Sequence, residues 1–177
     1  MPRIREVRTH DLALGELIRL RALLDIAFDG YLTDDDWDHA LGGVHVIVEV
    51  DDLAVAHASV VSRTLELGDR LCHAGYVEAV ATHPQFQHRR HASSVMRHVA
   101  TLLSPYDIGG LSTARITFYE QFGWQQWRGP TYCRLPNRTV VRTVDDDGGV
   151  MVLPTPNTRE IDLTLPIACE YRDGDVW

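Results

Sequence analysis

Cysteine is scarce in this chain. Of 177 residues only Cys72, Cys133 and Cys169 are cysteines, an odd and scattered set with no CxxC spacing. Neither a disulfide framework nor a zinc knuckle is expected, and the three read as reduced core thiols. Cationic charge is also short: Lys plus Arg number 17 against 25 Asp plus Glu, a net charge of −8 with neutral histidines. That balance is the opposite of a nucleic-acid footprint and suits a cationic partner. No run approaches the roughly 18 uninterrupted apolar residues of a membrane span. The start, "MPRIREVRTHDLALGELIRL", is charged from its third residue and lacks an apolar signal core, so a cytoplasmic protein is expected. Repeats and low-complexity tracts are missing too. What is present, 45% hydrophobic residues, suits one globular domain over residues 1–177.

The elements alternate. "RIREVR" reads as a short edge strand, and Leu17, Leu20, Leu24 and Ala27 fall at helical spacing within residues 14 to 28. Thr33 before "DDDW" has the form of an N-cap with acids in the first turn, where the helix dipole favours them. "VHVIVEV", "LAVAHASVVSRTLEL" and "LCHAGYVEAVATH" form a meander of three long strands, turned at Asp51-Asp52 and at "LGDR". After His83-Pro84, the positions Ala92, Val95, Met96, Val99 and Leu102 line one face of a helix. "DIGGLST" is then a strand, "ARITFYEQF" a short helix closed by Gly123, and "WQQWRGPTYCRL" a single strand. "GVMVLP" and "IDLTLPIACEY" are two further strands.

One stretch carries the chemistry. In "GYVEAVATHPQFQHRRHASS" a single carboxylate, Glu78, stands among Tyr76, Val77, Ala79 and Val80. It is either an ion-pair partner at a strand end or a partly desolvated acid with a raised pKa. The strand runs through a basic turn, Gln87, His88, Arg89, Arg90 and His91, into a helix whose first residues, Ala92 and Ser93, are small. Backbone N–H groups at such a helix start suit an anion, phosphate above all; the plainer alternative is an ordinary helix start with surface bases. His88, His91 and His98 lack matching cysteine or acidic ligands, so no metal site is expected.

The turn and the order of elements resemble the GNAT acetyltransferases, whose pyrophosphate loop follows Q/R-x-x-G-x-G/A. "QHRRHA", residues 87 to 92, matches at Gln87 and Ala92, with Arg90 where the first glycine is expected. "TDDDWDHALGGVH", "GYVEAV", "YEQFGWQQWRGP", "DDDGGVMVLP" and "RDGDVW" resemble, in order, the aminoglycoside 2′-N-acetyltransferases. The resemblance implies an α+β GNAT fold, a mixed and mostly antiparallel central sheet flanked by helices. It also implies acetyl-coenzyme A as cosubstrate, a polycationic aminoglycoside antibiotic as acceptor, no metal, and a homodimer.

Acetylating an amine requires removing a proton from the ammonium and stabilising the departing thiolate. The resemblance assigns the first task to Glu78 and the second to Tyr119. It gives the coenzyme the main chain of Val80, Ala81 and Thr82 and the loop Gln87, His88, Arg89, Arg90, His91 and Ala92. It gives the substrate Asp36, Glu78, Ala79, Ser112, Asp146, Asp175 and Trp177, together with the terminal carboxylate. Without a ligand, the ending "GDVW" is expected to fray. Tyr31 stands where relatives can carry an acid, and residues 111 to 119 are about two residues short of the family pattern. Two other readings remain: acetylation of a different amine, such as a polyamine, an amino sugar or a protein terminus, and an acyl-coenzyme A-binding module without catalysis.

Overall fold

In the computed structural model, which describes every residue except Met1 and Arg159, the chain forms two compact units. The first takes the residues up to Val61 together with Val77–Leu102; the second takes Ser62–Tyr76 and Leu103–Trp177. Strands β3 (Leu53–Leu67) and β4 (Arg70–Thr82) each begin in one unit and end in the other.

The first unit is built on β1 (Arg3–Arg8), β2 (Val44–Val50) and the opening of β3, all antiparallel. Asp51 (φ 50°) and Asp52 (φ 62°) are both left-handed, the hand that a two-residue hairpin needs to match strand twist. Gly43 has no side chain for a steric reason: a Cβ there would lie 2.0 Å from the Val60 carbonyl oxygen. Helix α1 (Leu14–Ala27) buries Leu20, Leu23 and Leu24. Leu12, Leu20 and Ile47 form a core cluster against Val7, Leu17, Trp37 and Ala54. Helix α2 (Asp34–Ala40) starts as its sequence dictates: Thr33 Oγ1 accepts the Asp36 N–H at 3.1 Å, and Asp36 Oδ2 accepts the Thr33 N–H at 2.9 Å. A 3-10 turn (Pro84–Phe86) leads to α3 (His91–Leu102), which packs on β2 and buries Val95, Met96 and Val99.

The second unit holds the parallel pairing of β4 with β5 (Ile108–Ser112), which runs from Ala74 to Tyr76 and stops. Antiparallel β9 (Val150–Pro154) flanks β5, and β6 (Gln125–Gln126) flanks β9. On the other side β10 (Ile167–Glu170) lies antiparallel to β3 and parallel to β7 (Thr131–Arg134), with β8 (Val140–Arg142) beyond. Among the pairings described above, two are parallel and the others antiparallel, so the class is α+β with a mixed, mostly antiparallel sheet. Tyr76, Leu65, Ile108, Met151, Trp127 and Ile167 make up its core. Helix α4 (Ile116–Glu120) ends through Gly123 in the left-handed region (φ 88°).

Two expectations are corrected here. The stretch 124 to 135 is two strands, because Gly129 passes so close to Leu165 that a Cβ would lie 1.9 Å from its carbonyl oxygen, and the chain leaves β9 for β10 around that contact. The last strand covers only four residues of "IDLTLPIACEY"; Asp162, Thr164 and Leu165 are taken up in a turn, with Asp162 Oδ1 accepting from Thr164 N–H and Oγ1.

Candidate active site

Glu78 sits half-buried on β4, and the residue after it departs from strand geometry although the strand continues to Thr82. Ala79 has φ 50°, a hand that costs an L-residue about 1–2 kcal/mol. Such a residue inside a strand marks a bulge, which re-aims the side chains around it. The conformation is held from inside the unit. His57 Nδ1 lies 2.9 Å from the Ala79 carbonyl oxygen, His57 Nε2 lies 2.9 Å from His45 Nδ1, and His45 Nε2 lies 2.8 Å from Thr9 Oγ1. Both imidazoles are 0% exposed. Burial pushes His45 down to about 4 and His57, with the added repulsion of His45, down to about 3, so both are neutral at ordinary pH. Sequence reasoning passed over this pair, although it left the same mark as Glu78, a titratable residue within an apolar strand.

Past the bulge, Val80 and Thr82 are half-buried and Ala81 is buried. Thr82 Oγ1 is buried with no hydrogen-bond partner among the described residues. In the turn that follows, His88 (φ 61°) and Arg90 (φ 65°) are both left-handed. Arg90 therefore keeps a glycine-like backbone at the position where the family loop calls for glycine. The first bond of α3 runs from Ser94 N–H to the Arg90 carbonyl at 3.0 Å, so the N–H groups of His91, Ala92 and Ser93 emerge at the helix start. Gln87, His88, Arg89 and Arg90 are exposed. His91 is buried instead, its ring 6.4 Å from that of Phe86, which also carries the Arg89 guanidinium at 5.2 Å and the edge of His83 at 5.6 Å. That leaves the main-chain N–H of His91, rather than its imidazole, at the open start of the helix. Asp36, half-buried, spends one carboxylate oxygen on its helix cap. His98 is bonded to Glu6 at 3.0 Å. Tyr31 is exposed.

In the second unit Tyr119 is buried on α4, its ring against Phe118 and edge-on to Trp124. Burial pushes its phenol up to about 12, against the opposing pull of Arg115 and a hydrogen bond with Thr113. The hydroxyl is a proton donor throughout the working range. Ser112 is exposed at the end of β5, paired with Val150. Asp146 and Asp175 are brought together: burial raises the Asp146 carboxyl, and the charge of Asp175 raises it further. Asp147, next in the run, is bound elsewhere, to Arg142 and to the N–H and hydroxyl of Thr131, which hold its pKa down.

The ending is anchored rather than frayed. Trp177 is 3% exposed, its indole N–H bonded to Thr143 Oγ1 at 3.0 Å and its backbone N–H to Asp175 Oδ1 at 3.1 Å. The Val176 carbonyl accepts from Arg63 at 2.9 Å and from the Cys169 thiol at 3.2 Å, and the Trp177 carbonyl accepts from Arg172 at 2.9 Å. A buried arginine whose one guanidinium nitrogen donates to the carbonyls of Glu170 and Val176, while its Nε faces the Glu170 carboxylate, is a fastening that local sequence does not announce. Cys72, Cys133 and Cys169 are all buried and free. Among the described residues, no group of three His, Cys, Asp or Glu is arranged to hold a metal, and no helix is long and apolar enough to cross a membrane.

The family described as Acetyltransferase (GNAT) domain matches residues 11–127. The aminoglycoside 2′-N-acetyltransferase of Mycolicibacterium fortuitum is 41% identical over 179 residues, covering 98% of this chain and 91% of that one. The chain belongs to the aminoglycoside 2′-N-acetyltransferase family of GNAT acetyltransferases. Solved GNAT structures share its fold at low identity. An Escherichia coli N-acetyltransferase, YhbS, in complex with CoA has TM-score 0.65 at 11% identity, over 95% of this chain and 89% of that one. A Brucella melitensis GNAT acetyltransferase in complex with acetyl-CoA has TM-score 0.62 at 14% identity, over 98% and 97%. The chain spans only 33% to 35% of the length of three longer solved structures that it also matches. As a GNAT enzyme it is an acetyl-CoA-dependent N-acetyltransferase.

Proposed function

We propose that the acceptor is an aminoglycoside and that the acetyl group goes to its 2′-amine. The observation that carries this reading is 41% identity to a 2′-N-acetyltransferase across 98% of the chain. The site chemistry supports it. A protein with a net charge of −8 and a carboxyl raised by burial and a second acid gains from a polycation, which relieves the repulsion between Asp146 and Asp175. The resemblance also gives the acceptor Ser112 and Trp177 of the second unit and, separately, Asp36 of the first.

Glu78 takes the proton from the ammonium, and Ala79, beside it, offers main-chain contact to the amine. Val80, Ala81 and Thr82 receive the pantetheine arm as an added strand would be received. The left-handed turn from Gln87 through His88, Arg89 and Arg90, with the N–H groups of His91 and Ala92, holds the pyrophosphate. Tyr119 donates its proton to the departing thiolate. Burial keeps this phenol protonated up to about 12, so its proton is present when the thiolate departs. The resemblance also brings a homodimer, which sedimentation at micromolar concentration checks; a cytoplasmic location remains the expectation drawn from the sequence.

The deciding experiment is coenzyme A release with gentamicin or tobramycin, which carry a 2′-amine, against kanamycin A, which has a hydroxyl there. Turnover of the first pair alone is expected. Equal turnover of all three, or of polyamines in preference, would sink the assignment.

A further inference from the structure

The buried histidines leave a directional problem with one solution. The Ala79 carbonyl can only accept, so the proton of neutral His57 sits on Nδ1. His57 Nε2 is then a lone pair, and His45 must donate to it from Nδ1. That leaves His45 Nε2 as an acceptor for the Thr9 hydroxyl at 2.8 Å, the shorter contact beside the Gly43 carbonyl at 3.3 Å, while the hydroxyl oxygen accepts the Gly42 N–H at 3.0 Å. Four donors point the same way, from Gly42 beside β2 to the bulge beside Glu78. Every link is inside the first unit, and its two imidazoles are fully buried, although the Gly42 end lies at the surface.

We propose that the Thr9–His45–His57 relay is a positioning device for catalysis: by holding the Ala79 carbonyl it sets the left-handed bulge that aims Glu78 at the amine. The proposal rests on the assignment of Glu78 as the proton acceptor. A strand residue in a disfavoured hand persists only where its surroundings over-determine it, and here the determining bond is that of His57. Relaxation of Ala79 to an extended φ would return β4 to simple alternation and turn Glu78 away from its present direction. Because both imidazoles stay neutral, the direction of the relay does not change across the working pH range.

Side chains that mimic one ring nitrogen each give the test. In His57→Asn the amide nitrogen falls near the place of Nδ1 and can still donate to Ala79; in His57→Gln it falls near Nε2 and cannot. We expect His57→Gln to lower kcat by about 10²-fold, the order of loss for a misplaced reacting group, with a smaller change in KM for acetyl-CoA. His57→Asn should recover at least about tenfold of that even if both variants melt lower than the parent. In a Glu78→Gln background, His57→Gln should cost less than about threefold more, because a residue acting through Glu78 has nothing left to position. Imidazole ¹⁵N shifts of the unaltered protein should show both rings as Nδ1–H tautomers from about pH 5.5 to 8. Equal losses in the two His57 variants, losses that multiply with that of Glu78→Gln, or an Nε2–H tautomer at His57 would each overturn the positioning role. Wild-type turnover in Glu78→Gln alone would overturn the underlying assignment instead.

Discussion

Lowering the pH from about 7.5 to about 5 should destabilise this protein well before its carboxylates titrate. His45 and His57 titrate at 6.5 when unfolded and at about 4 and about 3 when folded. Both folded values lie below the unfolded one, so in the window between them the unfolded chain binds more protons and stability falls as pH drops. Over that range each imidazole removes about 2 kcal/mol, and the pair about 4 kcal/mol. At about pH 5 the figure hardly depends on where below about 4.5 the folded values lie, since the folded rings are still neutral there. A loss of that size is a large share of the roughly 5–15 kcal/mol typical of a domain. Acids held down by partners, Glu66 by Arg134 and Glu16 by the Ala13 N–H and Arg5, add their losses lower, near the carboxylate range. Urea unfolding across a pH series checks the sum. Near pH 5.5 the slope should correspond to an uptake of close to two protons, falling to close to one in His57→Asn. A wild-type loss under about 1 kcal/mol between the two pH values would refute the argument, because it would mean that the rings are charged, or hydrated, in the folded state.

Other substitutions separate steric, conformational and electrostatic effects. In the second unit Gly75→Ala places a Cβ 2.5 Å from a Leu103 methyl and 2.8 Å from the Tyr106 ring, side-chain atoms that can shift; it should cost about 1–3 kcal/mol in thermal denaturation. Gly129→Ala meets the Leu165 backbone, which cannot shift, and should cost more, on the order of 3 kcal/mol or above. At Arg90, φ 65°, replacement by glycine should leave the melting temperature equal or higher, whereas the β-branched Arg90→Val should lower it; a fall in both would argue against the left-handed loop. Asp146→Asn should raise the stability of the free protein near neutral pH, since a carboxyl with a raised folded pKa destabilises above that pKa. The same change should raise KM for the aminoglycoside about tenfold, and an unchanged KM would remove Asp146 from the acceptor site.

Local patterns announced much of the architecture. Asp51-Asp52 between two apolar runs made a hairpin, Thr33 ahead of three acids made a capped helix, and Val95, Met96 and Val99 made a buried stripe, because each depends on neighbours within a turn or two. Less legible were features decided at long range. β8 is a three-residue strand whose existence depends on β7 as partner, and the break at Gly129 exists only because Leu165 crosses there. Within the site, Glu78 and the Arg90 loop stood out as a charge in an apolar strand and a basic turn before a helix. The hand of Ala79, the direction of the histidine relay and the fastening of the ending through Arg63 were hidden, since all three are set by hydrogen bonds from strands distant in sequence.

The position of β10 has a consequence for the order in which the protein is made. Ile167 pairs with Leu67, emitted a hundred residues earlier, and on its other side with Thr131. Until β10 is synthesised, this edge of β3 and the β7–β8 hairpin lack the strand that joins them. Closing so distant a contact is slow, and an open edge in the meantime is a template for another chain. During synthesis the nascent second unit is therefore most exposed to aggregation just before its last strand emerges, and a short peptide matching residues 167 to 170 would be expected to compete for the same edge.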